Sequence, residues 1–130
     1  MKFLQPPNWP RPKGYANGVA TRGSLVFLSG IIGWNAQEEF EAYDFPSQVR
    51  QALRNIVEIL SEAKAKPEHI ARMTWYVLDK NEYMAAAKQM GVAYREIIGQ
   101  HYPAMTVVEV SGLLEANARV EIEVTAVVPD

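Results

Sequence analysis

From Arg119 to Ala126 the chain alternates without a break. Arg119, Glu121, Glu123 and Thr125 fall on one side of an extended strand, and Val120, Ile122, Val124 and Ala126 fall on the other. A segment of this kind has one aliphatic face that must be buried and one that tolerates charge. It therefore requires a sheet with a covered side. Two segments supply the cover. Pro46 opens a helix, capped by Asp44 or Ser47, in which Val49, Leu53, Ile56, Val57 and Leu60 recur at spacings of three and four. This helix ends before Pro67. A second helix, capped by Asp79 or Asn81, places Met84, Ala87, Gly91, Tyr94 and Ile98 on one face and closes at Gly99.

The other strands are short runs of β-branched and aromatic residues: 16–21, 25–29, 70–78 and 104–110. Glycine in the Arg22-Gly23 link predicts a hairpin between the first two. Residues 30–43 read as a loop that turns acidic at Glu38, Glu39 and Glu41. The resulting order is ββαβαββ, an α+β two-layer sandwich with two helices on one face of a mixed, mainly antiparallel sheet. Residues 1–130 form a single domain, and the proline-rich segment 1–13 lies over its surface as an arm.

The second face of the sheet is expected to carry charges and also large apolar groups. Met105, Val107 and Glu109 share one side of their strand, as do Ala71, Met73, Trp75 and Val77 of theirs. A small domain with apolar residues on both sheet faces hides the second by self-association.

Composition removes several function classes. A formal charge of −2 gives no basic footprint for nucleic acid. Without cysteine there are no disulfides, thiolate metal sites or cysteine nucleophiles. His69 and His101 are too far apart in sequence for a local metal motif, so no metal is expected. No apolar run is long enough for a signal peptide or a membrane span, which predicts a cytoplasmic protein with no membrane partner. The serines lack a nucleophile-elbow context, and Gly30-Ile31-Ile32-Gly33 has neither the spacing nor the lysine of a phosphate loop.

Several stretches, taken together, resemble the Rid (YjgF-like) imine/enamine deaminase family across nearly the whole chain. They are Gly14-Tyr15-Ala16-Asn17-Gly18, Phe27-Leu28-Ser29-Gly30, the helix from Gln48 to Ile56, and Tyr102 to Val110 followed by Val120-Glu121-Ile122-Glu123. The resemblance implies a homotrimer of chorismate-mutase-like fold, with a small-molecule cleft between each pair of neighbouring subunits. It also implies cofactor-free hydrolysis of reactive imines and enamines, such as 2-aminoacrylate, to a carbonyl compound and ammonia. Glu121 then matches the family's water-positioning glutamate. Tyr15 and Gly30 match the pocket wall, and Val107 matches the residue whose backbone meets substrate. Met105 stands where the family has a carboxylate-gripping arginine.

A thioether cannot imitate the guanidinium's rigid fork of donors. With Ile31 and Trp34 in the following loop, the pocket reads as more apolar than its relatives', fitted to a neutral or aromatic imine. The alternative is a non-catalytic metabolite-binding trimer using the same cleft. Met105 fits trimer core as well as pocket wall, and Trp34 fits a lid or a trimer contact. Arg22 and Arg119 are candidate relocated carboxylate anchors, although strand-end arginines more often form surface ion pairs. Arg119 is also a candidate partner for Glu123. His101 is read as a loop hydrogen-bonding residue.

Overall fold

In a computed structural model covering residues 1–130, the elements follow as β1 (Lys2–Leu4), β2 (Gly18–Ala20), β3 (Ser24–Phe27), β4 (Ile31–Ile32), α1 (Phe45–Glu62), β5 (Ile70–Val77), α2 (Lys80–Ala85), α3 (Ala87–Ile97), β6 (Ala104–Glu109) and β7 (Val120–Val128). The alternation in β7 behaves as its sequence requires. Val120, Ile122, Val124 and Ala126 are buried, while Glu121, Glu123 and Thr125 lie on the opposite face. The main sheet runs β3-β7-β5-β6, with β4 also paired to β7. All pairings are antiparallel except β5 with β6. Phe45, Val49, Leu53, Ile56 and Leu60 of α1 fill the space above it together with Met90, Tyr94 and Ile98.

Asp44 caps α1, accepting from the Ser47 backbone N–H at 3.1 Å. Its hydrogen bonds with Ser47 hold its carboxyl below the ordinary carboxylate range. Asp79 caps α2 in the same way, through the Asn81 and Glu82 backbone N–H groups. Gly99 ends the last helix with φ +98°, and its N–H donates to the Tyr94 carbonyl at 3.0 Å.

Five sequence expectations are corrected. The predicted hairpin does not form: β2 pairs with β1, and β3 pairs with β7. Gly23 instead lets the chain pass β7, because a Cβ there would lie 2.8 Å from the Val128 carbonyl carbon at φ +145°. The proline-rich arm contributes an edge strand, β1, and the predicted loop contains β4.

The second helix is broken at Ala86, giving three helices. The buried stripe becomes Ala86, Met90, Ala93, Tyr94 and Ile98, leaving Met84 exposed. Finally, Met73, Trp75 and Val77 face the helices, and Met105, Val107 and Glu109 lie in register beside them on that same side. A bulge at Ala71 shifts the start of β5, so both Ile70 and Met73 point inward. The opposite face still carries exposed Leu25, Phe27 and Val108, alongside Arg72, Tyr76 and Glu123.

Gln48 is the one fully buried polar side chain. Its amide donates to the carbonyls of Ala42 (3.2 Å) and Asn117 (2.8 Å), and its oxygen accepts from the Arg119 N–H (2.7 Å). It pins the loops before α1 and before β7 to one point. Gln48→Leu should cost about 2–4 kcal/mol, because three backbone groups lose their partner. A thermal melt should fall by roughly 10 °C; an unchanged midpoint would show these bonds to be replaceable by water.

Candidate functional site

The strand β4 approaches α1 closely at Gly33, where a Cβ would lie 2.7 Å from the Gln48 Cα. This contact brings the loop after β4 beside the polar side of α1. Asn55 of α1 reinforces it, donating to the carbonyls of Ile32 (3.1 Å) and Trp34 (2.8 Å), and Gln51 in turn donates to the Asn55 side-chain oxygen (2.8 Å). The Asn35 side chain accepts from the Gln37 and Glu39 backbone N–H groups, closing the loop on itself. Trp34 packs against Phe40 at 6.0 Å. These constraints leave a cavity of about 1010 Å³ at the sheet edge, walled by that loop, the polar side of α1, the loop before β7 and Glu121.

Glu121 projects from β7 on the face away from the helices and lies over Gly30, where any Cβ would collide with its carboxylate. Gly30 is therefore a spatial requirement. It leaves room for the carboxylate to reach the cavity wall. Glu123, two residues on, points the same way but accepts a 2.6 Å hydrogen bond from the Tyr76 hydroxyl. That bond is the main cause of a raised Tyr76 phenol pKa. Glu123 does not pair with Arg119, which instead grips Glu82 through Nε at 3.0 Å to both carboxylate oxygens.

Of the site residues expected from sequence, Gly30, Ile31, Trp34 and Glu121 meet in this cavity. Tyr15 does not. It lines a second cavity of about 360 Å³ with Phe3, Arg11, Asn17 and His101. Met105 and Val107 line neither: half-buried on the helix side of β6, they pack against the core. Within one protomer, Met105 and Glu121 therefore point to opposite faces of the sheet. The candidate anchors are also occupied or remote, since Arg22 pairs with Asp130 (3.5 Å) and Arg119 with Glu82. His101 bonds through Nε2 to the Ile70 carbonyl at 2.7 Å, as its loop role requires.

One protomer supplies an acidic wall rather than an apolar one: besides Glu121 it includes Glu38, Glu41, Glu58, Glu62 and Glu115, while Met105 and Val107 lie on the other side of the sheet. Sequence reasoning misses Glu58, Glu62 and Asn55 because they read as the solvated side of an amphipathic helix. Their one signal is spacing, since Gln51, Asn55, Glu58 and Glu62 repeat at three and four residues.

Residues 9–128 match the family described as Endoribonuclease L-PSP. A RutC family protein of Aquifex aeolicus is 35% identical over 130 residues, covering 98% of this chain and 99% of its own. The 2-iminobutanoate/2-iminopropanoate deaminase of Salmonella typhimurium is 32% identical, with 97% of each chain covered. Among solved structures, the Rid-family protein YyfB of Yersinia pestis, of unknown function, superposes with a TM-score of 0.83 at 27% identity over 98% of both chains. TdcF of E. coli, solved with bound serine, gives 0.70 at 30% identity over 98% of both. No helix of this chain is long and apolar enough to cross a membrane. With its α+β fold and a match across nearly its full length, the chain belongs to the Endoribonuclease L-PSP family, the group that includes the Rid and RutC proteins and imine deaminases.

Proposed function

We propose that this protein is a cytoplasmic, cofactor-independent hydrolase that converts a small reactive imine or enamine to a carbonyl compound and ammonia. Glu121 is its proton-handling residue, and the substrate differs from that of arginine-bearing relatives because Met105 stands in the arginine's place. The observation that carries this reading is the Glu121 carboxylate, laid over Gly30 at the wall of the sheet-edge cavity. A carboxylate so placed can take a proton from water as it adds to a C=N carbon.

The complete cleft forms between protomers of a homotrimer. Met105 and Val107 point away from Glu121 within one chain, so they meet it only if different protomers supply the two halves. β6 is an edge strand whose outer edge is bridged only at Ala104, by Ala16, leaving the rest to lie beside a neighbour. The outer sheet face, with Phe27 71% and Leu25 62% exposed, offers apolar surface for the association. The wild-type protein should elute at three times its 14.6 kDa chain mass, and Phe27→Glu should shift light-scattering mass to monomer and remove activity together. A monomeric wild type would refute the shared cleft.

The reading is tested by ammonia release. Turnover of enzymatically generated 2-aminoacrylate should be weak or absent, while imines lacking a carboxylate should be hydrolysed. A rate on 2-aminoacrylate equal to that of arginine-bearing relatives would refute the altered substrate. A second reading, a non-catalytic metabolite binder, is favoured by the missing arginine alone. It predicts ligand binding with no ammonia from any imine.

A further inference from the structure

The charge of the cavity wall bears on what the proposed cleft takes. Six glutamates line it (Glu38, Glu41, Glu58, Glu62, Glu115 and Glu121), and no lysine, arginine or histidine does. None of the six enters an ion pair: the three salt bridges of the protein use Asp130, Glu96 and Glu82 instead. Six of the chain's 15 acidic residues thus converge on one cavity in a protein of formal charge only −2. They do not create the site, which is set by the cavity and by Glu121 over Gly30. They set its sign. Trp34, half-buried in the same wall, adds an aromatic surface of the kind that attracts cations.

From this we infer that the cleft selects a cation: a protonated iminium, or amine-like molecule, without a carboxylate. The inference rests on the hydrolytic reading above and names its substrate class. An anionic imino acid would meet the six carboxylates of this wall and, with methionine at position 105, no guanidinium. A protonated iminium is also the more electrophilic form of the C=N bond, and a field of carboxylates favours that protonated form.

The reaction balances in this form. Water oxygen bonds to the iminium carbon, the C=N π pair moves to nitrogen, and Glu121 takes a proton from the water and returns it to nitrogen. The C–N bond then breaks as the hydroxyl oxygen forms C=O, its proton passing through Glu121 to the departing ammonia. Iminium and water become a carbonyl compound and ammonium, with a single positive charge on each side.

Three stable probes test the selection directly on the assembled protein: benzamidine, benzamide and benzoate. They share a ring and a planar head group and differ in charge. Calorimetry should show benzamidine binding at least tenfold tighter than benzamide, with benzoate weakest. Raising salt should weaken benzamidine alone. A Glu58→Gln, Glu62→Gln double variant, altered at exposed helix positions, should lose up to roughly 25-fold in benzamidine affinity and keep its benzamide affinity, since each nearby carboxylate in water is worth roughly fivefold.

A parallel ammonia assay separates this inference from the hydrolytic reading. It uses the imine made by oxidising benzylamine and 2-iminopropanoate made by oxidising alanine. Faster release from the first supports both. Benzoate binding as tightly as benzamidine, or failure of all three probes to bind, overturns the cation selection, and ammonia release still reports on hydrolysis. Benzamidine preference without ammonia from either imine overturns the hydrolytic reading and leaves the selection intact.

Discussion

Glu121→Gln should lower the rate of ammonia release by roughly 10²–10⁴-fold, the usual contribution of a general acid/base. Binding of a neutral ligand should change little. Glutamine keeps the size and one hydrogen-bonding oxygen of glutamate but cannot take a proton from attacking water. The side chain already fits over Gly30, and an isosteric amide occupies the same space without strain. The loss should therefore appear mainly in kcat, with KM for a cationic imine rising by no more than the roughly fivefold that one carboxylate is worth, which is the pattern of a group acting chiefly in the transition state. Losses of equal size in binding and turnover would reduce Glu121 to a polar contact. A variant with full activity would remove it from the chemistry.

The same position shows why part of the site is legible in the amino-acid sequence. Glu121 sits in a strand whose alternation is unbroken, so its face follows from Val120 and Ile122 alone. Gly30 and Trp34 follow from the resemblance to a family, and both line the cavity. The failures have physical causes. Alternation in β5 and β6 identifies which residues share a side but not which side faces the helices. That choice depends on register with β7, more than 40 residues away, and on the bulge at Ala71. Alternation alone therefore cannot choose a face for Met105, which registers with buried Met73 and so lies on the helix side.

The hairpin fails for a related reason. Gly23 is indeed a special backbone position, but its partner is the Val128 carbonyl rather than a neighbouring strand. Local turn chemistry marks the turn and cannot name what it passes. The acidic wall is invisible in the sequence because each part of it is ordinary: two charges in a loop, two on a helix, one before the last strand and one within it. Only the approach of β4 to α1 at Gly33 collects them.

That acidic wall and the thioether at position 105 make opposite demands on a substrate from those of a guanidinium, so Met105→Arg should reverse the preference. Two charge-assisted hydrogen bonds to a carboxylate, at about 1.5–3 kcal/mol each in full, predict a gain of at least tenfold in kcat/KM for 2-aminoacrylate even after opposition from the glutamates. Turnover of a cationic imine should fall by a similar factor, since the new charge repels it. Met105 is only half-buried on an edge strand, so an arginine stem can follow its path and carry the head group out to solvent or to the neighbouring protomer. An unchanged thermal midpoint would establish that the variant folds and assembles. In that background, a gain on 2-aminoacrylate that disappears when Glu121 is also replaced by glutamine places both residues in one cleft. They point to opposite faces of a single sheet, so this coupling can arise only across a subunit boundary. Purely additive effects of the two substitutions would put position 105 outside the site.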